Sequence, residues 1–358
     1  MKGLFFYSFL LVKLTISAQE SSSFVLGKSL YYGNIIAHSK DIAALAAANP
    51  FGASFSVAWQ NNKQVATESS PIRAKRGFRF AYTHFGNAQQ LGEVYQITAF
   101  TEPFIGSNRK LFLSFPLDAG VSYLTKIYHP IHNPENLFFG SAISFYLGVG
   151  AQLNYRFGKQ SLANIGVSYQ HISNGGIKAP NKGMNYPSLS ASYCYYLSQA
   201  NWQRLNPSPA NAGPANNLLR LFLFGSFKTV PNPDLLVPMG GAQILYARSL
   251  NTWHHLIFGS ELLHNTFKKE WLKRQEIEVN PWEMSVQAGY ELRIGKTSLI
   301  LLMGADALNK NRLNTLLYQR YALVQKLGNR FLLAGTLKAN GHVADIFDLR
   351  LGYQISQK

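Results

Sequence analysis

The sequence has a single cysteine, Cys194, in 358 residues. That excludes an intrachain disulfide, a cysteine-based zinc cluster and a dithiol redox pair, and leaves Cys194 as a small buried residue in a strand. Charged residues are also scarce, at 14% of the chain, where about 25% is usual for a soluble domain. Acids are the rarer sign: 17 Asp and Glu stand against 34 Lys and Arg, for a formal net charge of +17. Beyond the N-terminus no segment supplies the ~20 consecutive apolar residues that a membrane-crossing helix needs. The histidines His38, His84, His129 and His132 are scattered along the chain. They do not recur with carboxylates at ligand spacing, so no metal site is expected.

What the sequence does contain is aromatic: 19 Tyr and 24 Phe. It opens with a short basic start and an apolar run through Leu10-Leu11-Val12, then Ser17-Ala18 and polar Gln19-Glu20. This is the layout of a secretory signal peptide over 1–18, cut after Ala18. Lys13 interrupts the apolar run and argues against a permanent anchor. Removal of Lys2 and Lys13 with the signal leaves a charge of +15. An exported chain that is aromatic-rich, poor in charge and without helical spans points to a transmembrane β-barrel.

Alternating polarity supports this. From Glu283 to Arg293 every even position is apolar or aromatic and every odd one is polar or glycine; Asp348–Ile355 repeats the pattern in the other phase. Alternate side chains of a strand leave opposite faces, one toward lipid and one toward the lumen. Further strands are expected near 24–37, 52–60, 77–85, 91–101, 110–125, 142–156, 161–173 and 187–198. The rest fall near 217–229, 239–250, 254–263, 296–305, 318–326 and 329–338. The prediction is one all-β domain over 19–358, a closed antiparallel transmembrane barrel of about 12–16 strands. Residues 200–216 read as a long loop, and Lys/Glu-rich 264–280 as a loop with a helical turn. Phe138-Phe139 and Tyr195-Tyr196 read as interface girdles, and His254-His255 as a rim pair.

The stretch Tyr169–Asn185 carries the chemistry. His171 and Ser173 are two apart, so an extended chain sends both to one face, shared with Ile165, Val167 and Tyr169. Asn185 lies in phase with the apolar set of the next strand (Leu189, Ala191, Tyr193). Polar groups on a lipid-facing wall are costly and therefore candidates for function. A serine hydroxyl becomes a nucleophile when an imidazole accepts its proton and a third group holds the ring. Asn174 and the N–H groups of Gly175 and Gly176 are the nearest donors for an oxyanion. As bland readings, His171 and Ser173 are an inert rim pair, and Asn181 and Gly183 simply form a turn.

The sequence His171-Ile172-Ser173-Asn174, followed by Pro180-Asn181-Lys182-Gly183, resembles the PagL-type lipid A 3-O-deacylases, the acyloxyacyl hydrolase-like barrels. The likeness is strongest from Tyr169 to about Leu197. It extends weakly through Gly33–His38, Gly86-Asn87 and Asn133–Asn136, so the deacylase-like part spans about 24–198 and extra strands occupy about 217–355. The resemblance implies Ser173 as nucleophile, His171 as general base and Asn174 in the oxyanion hole. The family's acid, a Glu twelve residues after the Ser, falls here on Asn185. An Asn carbonyl still accepts the imidazole N–H but adds no charge; Glu135 in a neighbouring loop is the other candidate acid.

The expected function is therefore an outer-membrane ester hydrolase that removes an acyl chain from lipid A. It needs no metal or organic cofactor, and its excess of basic residues suits lipopolysaccharide phosphates rather than nucleic acid. The alternatives are a non-catalytic barrel, either pore or structural protein, and an outer-membrane phospholipase. The acyl ester cut and the oligomeric state are left open.

Overall fold

The computed structural model describes residues 22–63, 72–206, 217–307, 316–341 and 343–357. The expected signal peptide lies outside the described residues, and the loop expected at 200–216 is described to residue 206. The chain forms two compact units. The first takes the described residues up to 206 apart from 174–181, which group with the C-terminal half in the second.

The first unit contains β1 (Ser22–Gly33), β2 (Phe51–Asn61), β3 (Ala74–His84), β4 (Glu93–Ile105), β5 (Leu111–Ser114), β6 (Leu117–Leu124), β7 (Ile143–Phe157), β8 (Ser161–Ser173) and β9 (Met184–Tyr196). All pairings are antiparallel and run in chain order, and β1 pairs with β9 to close the sheet. Strands β5 and β6 both lie between β4 and β7, so they form one stave broken at Phe115-Pro116. Proline has no N–H to give the ladder there. The barrel thus has eight staves.

Its outer wall is apolar and exposed: Leu147, Val149, Ile165, Val167, Tyr169 and Leu189 all point outward. Its lumen is polar in the middle and sealed at both ends. The middle holds the ion pairs Arg79–Asp118 and Lys75–Glu102 and a cavity of about 70 Å³ lined by Ser168, Gln170, Ser188 and their neighbours. At the upper end, where β8 finishes and β9 begins, loop residues Ile35, Ile42, Leu45, Phe85, Leu91, Phe138 and Phe139 pack with Ile172, Met184 and Tyr186 of the barrel. Phe138 and Phe139 are fully buried there and do not belong to a girdle; the loop folds inward and carries both rings with it. At the lower end Trp202 stacks on Phe104 and also meets Phe112 at a tilt and Tyr196 edge-on beneath the strands. The backbone at 199–203 takes hydrogen bonds from Ser23, Gln60, Arg73 and Ser107. Cys194 is free and buried beside Lys75.

The second unit contains β10 (Asn217–Val230), β11 (Leu235–Ser249), β12 (His254–His264), β13 (Trp282–Ile294), β14 (Thr297–Asp306), β15 (Leu317–Leu327), β16 (Phe331–Asn340) and β17 (Val343–Gln357). It is a closed antiparallel barrel, shut by pairing of β10 with β17. The even residues of β13 face outward as the alternation requires. A helix, Thr266–Lys273, follows β12, capped by Asn265 accepting the Lys268 N–H. The lumen is filled. Arg320 and Arg350 both pair with Glu261 and Asp348, and Arg220 pairs with Glu291, all almost wholly buried. Apolar layers above and below complete the plug. His255 is buried in this lumen beside Glu291, so only His254 of the expected rim pair is at the surface.

The all-β, closed antiparallel class is as the sequence predicts, but the single domain over 19–358 is not. The strands expected before and after about residue 200 close separately, eight staves each. Alternation reports the two faces of each strand; closure depends on which distant strands pair, β1 with β9 and β10 with β17, and leaves no mark on the local pattern. In each barrel, closure satisfies every edge within the sheet, the requirement for backbone placed in hydrocarbon.

Candidate active site

Strand β8 ends at Ser173 because the next residues, Asn174-Gly175-Gly176, cannot continue a ladder: Gly175 and Gly176 both adopt positive φ. Along β8 the outward positions are Ile165, Val167, Tyr169, His171 and Ser173, while Gln170 and Ile172 point in. His171 sits directly across from Asn185 on β9, and from Leu147 on β7. The cross-strand neighbour becomes a partner: His171 Nδ1 lies 2.6 Å from Asn185 Oδ1. An amide oxygen only accepts, so Nδ1 carries the proton and Nε2 is left as the basic nitrogen.

Ser173 keeps the outward phase but is covered, with 6% of its surface exposed. One reason is Gly183, at φ +70. A Cβ built on it would lie 3.0 Å from His171 Cε1 and 3.1 Å from Ser173 Cβ. Both side chains therefore converge on the face of Gly183, which only glycine's bare backbone can present at this φ. Gly183 is held in turn by the upper plug, its N–H donating to Phe138 O at 3.2 Å. From inside the barrel Ile172 and Met184 fix the same two strands within the plug core.

The turn that follows belongs to the second unit. There the Asn174 amide donates to Lys178 O at 2.7 Å and its Oδ1 accepts the Gly176 N–H at 3.1 Å. Asn181 Oδ1 accepts the Asn174 N–H at 3.1 Å. The side-chain donor of Asn174 and the N–H of Gly176 thus have partners inside their own turn. Glu135 accepts from Gln90, and the group that accepts the His171 Nδ1–H is Asn185 instead.

Two residues near the site were given no role by the sequence. Gly183 was readable only as a turn former, although its place in Pro180-Asn181-Lys182-Gly183 marks it. His38 lies past β1 in a loop, with Nε2 3.1 Å from Lys182 O. Among the described residues, no cluster of three or more His, Cys, Asp or Glu is placed to hold a metal ion.

Comparison with known proteins matches residues 51–194 to the family model for lipid A 3-O-deacylase (PagL), and residues 217–357 to the acyloxyacyl hydrolase C-terminal domain. The chain belongs to the PagL family. The two PagL models divide where the two barrels divide. Of solved structures, the outer membrane enzyme PagL is 19% identical, covering 46% of this chain and 97% of its own, with a TM-score of 0.34. Neisserial surface protein A is 15% identical over 49% of this chain and 99% of its own, with a TM-score of 0.36. The β domain of the Bordetella autotransporter Brka is 8% identical over 94% of this chain and 100% of its own, with a TM-score of 0.24. Among curated proteins none matches.

Proposed function

We propose that the chain is an exported outer-membrane hydrolase, freed of its signal peptide, that cleaves an acyl ester of lipid A with Ser173 as nucleophile. Membership of a lipid A deacylase family supports the substrate class. The observation that carries the chemistry is the His171–Asn185 hydrogen bond at 2.6 Å, on the strand face that also bears Ser173. The apolar wall of Ile165, Val167 and Leu189 below Ser173 suits an acyl chain lying in the bilayer, with its ester at the height of the site.

In this scheme Ser173 Oγ attacks the ester carbonyl while His171 Nε2 takes the hydroxyl proton. The tetrahedral oxyanion collapses, His171 returns the proton to the departing sugar oxygen, and the acyl group stays on Ser173. Water, deprotonated by His171, then releases the fatty acid and restores the serine. Asn185 holds the Nδ1–H tautomer throughout. As a neutral acceptor it adds no charge to offset the imidazolium, which makes it a weaker third member than a carboxylate. For Asn174, Gly175 and Gly176 to bind the oxyanion, the Asn174 amide and Gly176 N–H exchange their present turn partners for substrate.

The pore reading has little support. The upper plug and Trp202 close one lumen, and the Arg–carboxylate network fills the other. Incubating purified protein with lipid A or with phospholipid vesicles separates the two hydrolase readings from each other and from a non-catalytic structural barrel, which releases fatty acid from neither. Ser173-dependent release of a hydroxy fatty acid from lipid A alone is expected; release from phospholipid alone makes the chain a phospholipase.

A further inference from the structure

We propose that His38 is a positioning residue for this site, acting through the carbonyl of Lys182 to hold Gly183 against His171 and Ser173; the inference rests on the reading of Ser173 as the nucleophile. The path of the chain after β1 is the first observation. Instead of leaving the barrel, residues 34–38 run beside the start of β9: Asn34 N donates to Pro187 O at 3.1 Å and Ile36 N to Asn185 O at 2.8 Å. The segment therefore grips the backbone of the residue that orients His171. Ile35 anchors it from the other side, buried in the upper plug with Ile42 and Leu45.

His38 ends this grip at Lys182. A carbonyl only accepts, so the 3.1 Å contact to Lys182 O makes Nε2 of His38 an N–H donor. Its Nδ1 lies 3.4 Å from Ile36 O, where an unprotonated ring nitrogen meets another acceptor, so the hydrogen bond of the ring is the one to Lys182. Lys182 precedes Gly183, and both donate their N–H groups to the 137–138 backbone. The Lys182–Gly183 bend is thus fixed from the plug by its N–H groups and from the β1 loop by its carbonyl. Without the second hold, the Gly183 N–H bond to Phe138 O is the one bond of this set that orients the Lys182–Gly183 peptide, and a Cβ built on Gly183 would meet His171 at 3.0 Å and Ser173 at 3.1 Å. The Asp41–Lys182 ion pair at 3.0 Å spans the same gap. Both its partners are well exposed, and such pairs add little.

The test is the rate at which a fluorophosphonate probe labels Ser173 in the refolded full-length protein in detergent micelles. Wild type, His38→Gln, His38→Ala and Asp41→Asn are compared, with Ser173→Ala as the blank. Gln keeps an N–H donor where the ring has one; Ala removes it. His38→Ala is expected to label about tenfold more slowly than wild type, between the worth of one hydrogen bond and the roughly hundredfold cost of a 1 Å misplacement. His38→Gln recovers most of the rate, and Asp41→Asn stays within about twofold. A His38→Ala protein that does not fold is replaced by His38→Phe, which keeps the bulk of the ring without its donors and carries the same expectation. Labelling of His38→Ala at the wild-type rate overturns the inference and leaves Ser173 as nucleophile untouched. Equal slowing in His38→Gln overturns it too, because the donor would then not be what matters. Wild type that does not label above the blank overturns both.

Discussion

Replacing Asn185 by Glu is expected to make the enzyme faster. The amide oxygen of Asn185 sits 2.6 Å from His171 Nδ1 and orients the ring without adding charge. A carboxylate in the same place keeps the hydrogen bond and meets the imidazolium that forms as Ser173 loses its proton. Two unit charges ~4 Å apart attract by about 4 kcal/mol at an effective dielectric near 20. Asn185 and His171 are both half-buried, and burying a new charge on this wall has its own cost. A net transition-state gain of ~1–2 kcal/mol is what survives, or a five- to thirtyfold rise in kcat at about 1.4 kcal/mol per factor of ten. Asn185→Ala removes the orienting acceptor, and kcat is expected to fall by on the order of a hundredfold or more with KM little changed. The assay is release of hydroxy fatty acid from lipid A in mixed micelles, at several substrate levels so that kcat and KM separate. An Asn185→Ala protein as active as wild type refutes the reasoning, since the 2.6 Å contact would then have no part in the chemistry.

Gly183→Ala places a methyl 3.0 Å from His171 and 3.1 Å from Ser173 at φ +70. We expect activity to drop at least about a hundredfold while the protein still shows the heat-modifiable mobility of a folded barrel; wild-type kcat would contradict the packing described. In the second barrel Glu261→Gln leaves Arg320 and Arg350 with one carboxylate, Asp348, between them. Breaking such a buried network costs about 3–5 kcal/mol, to be read as a lower urea midpoint, and an unchanged midpoint would mean that the network is hydrated. Planar-bilayer recordings should show no steady conductance from wild type, because apolar clusters close the ends of the first lumen and side chains pack the second; well-resolved open steps would bring back the pore reading.

The strands were legible in the sequence because lipid and lumen impose opposite polarity at every second residue. The eight segments read before Ser198 and the eight after Asn216 correspond to the staves of the two barrels. One segment, 110–125, hid a break at Pro116 that became β5 and β6. Their division into two closed sheets was not legible, because pairing of β1 with β9 and of β10 with β17 is a long-range choice. The same distinction holds at the site. The common face of His171 and Ser173, and the phase of Asn185, follow from a period of two. The cover over Ser173, the inward turn of Phe138 and Phe139, and the reach of His38 to Lys182 come from loops whose paths alternation does not encode. In Pro180-Asn181-Lys182-Gly183 the composition shows a turn, but not which side chains the turn will press against.

Whether Ser173 cleaves an acyl ester of lipid A is decided by mass spectrometry of lipid A from cells expressing wild type or Ser173→Ala. Loss of one hydroxyacyl mass is expected with wild type and intact lipid A with Ser173→Ala, both proteins folded in the outer membrane. Identical spectra from the two would contradict it.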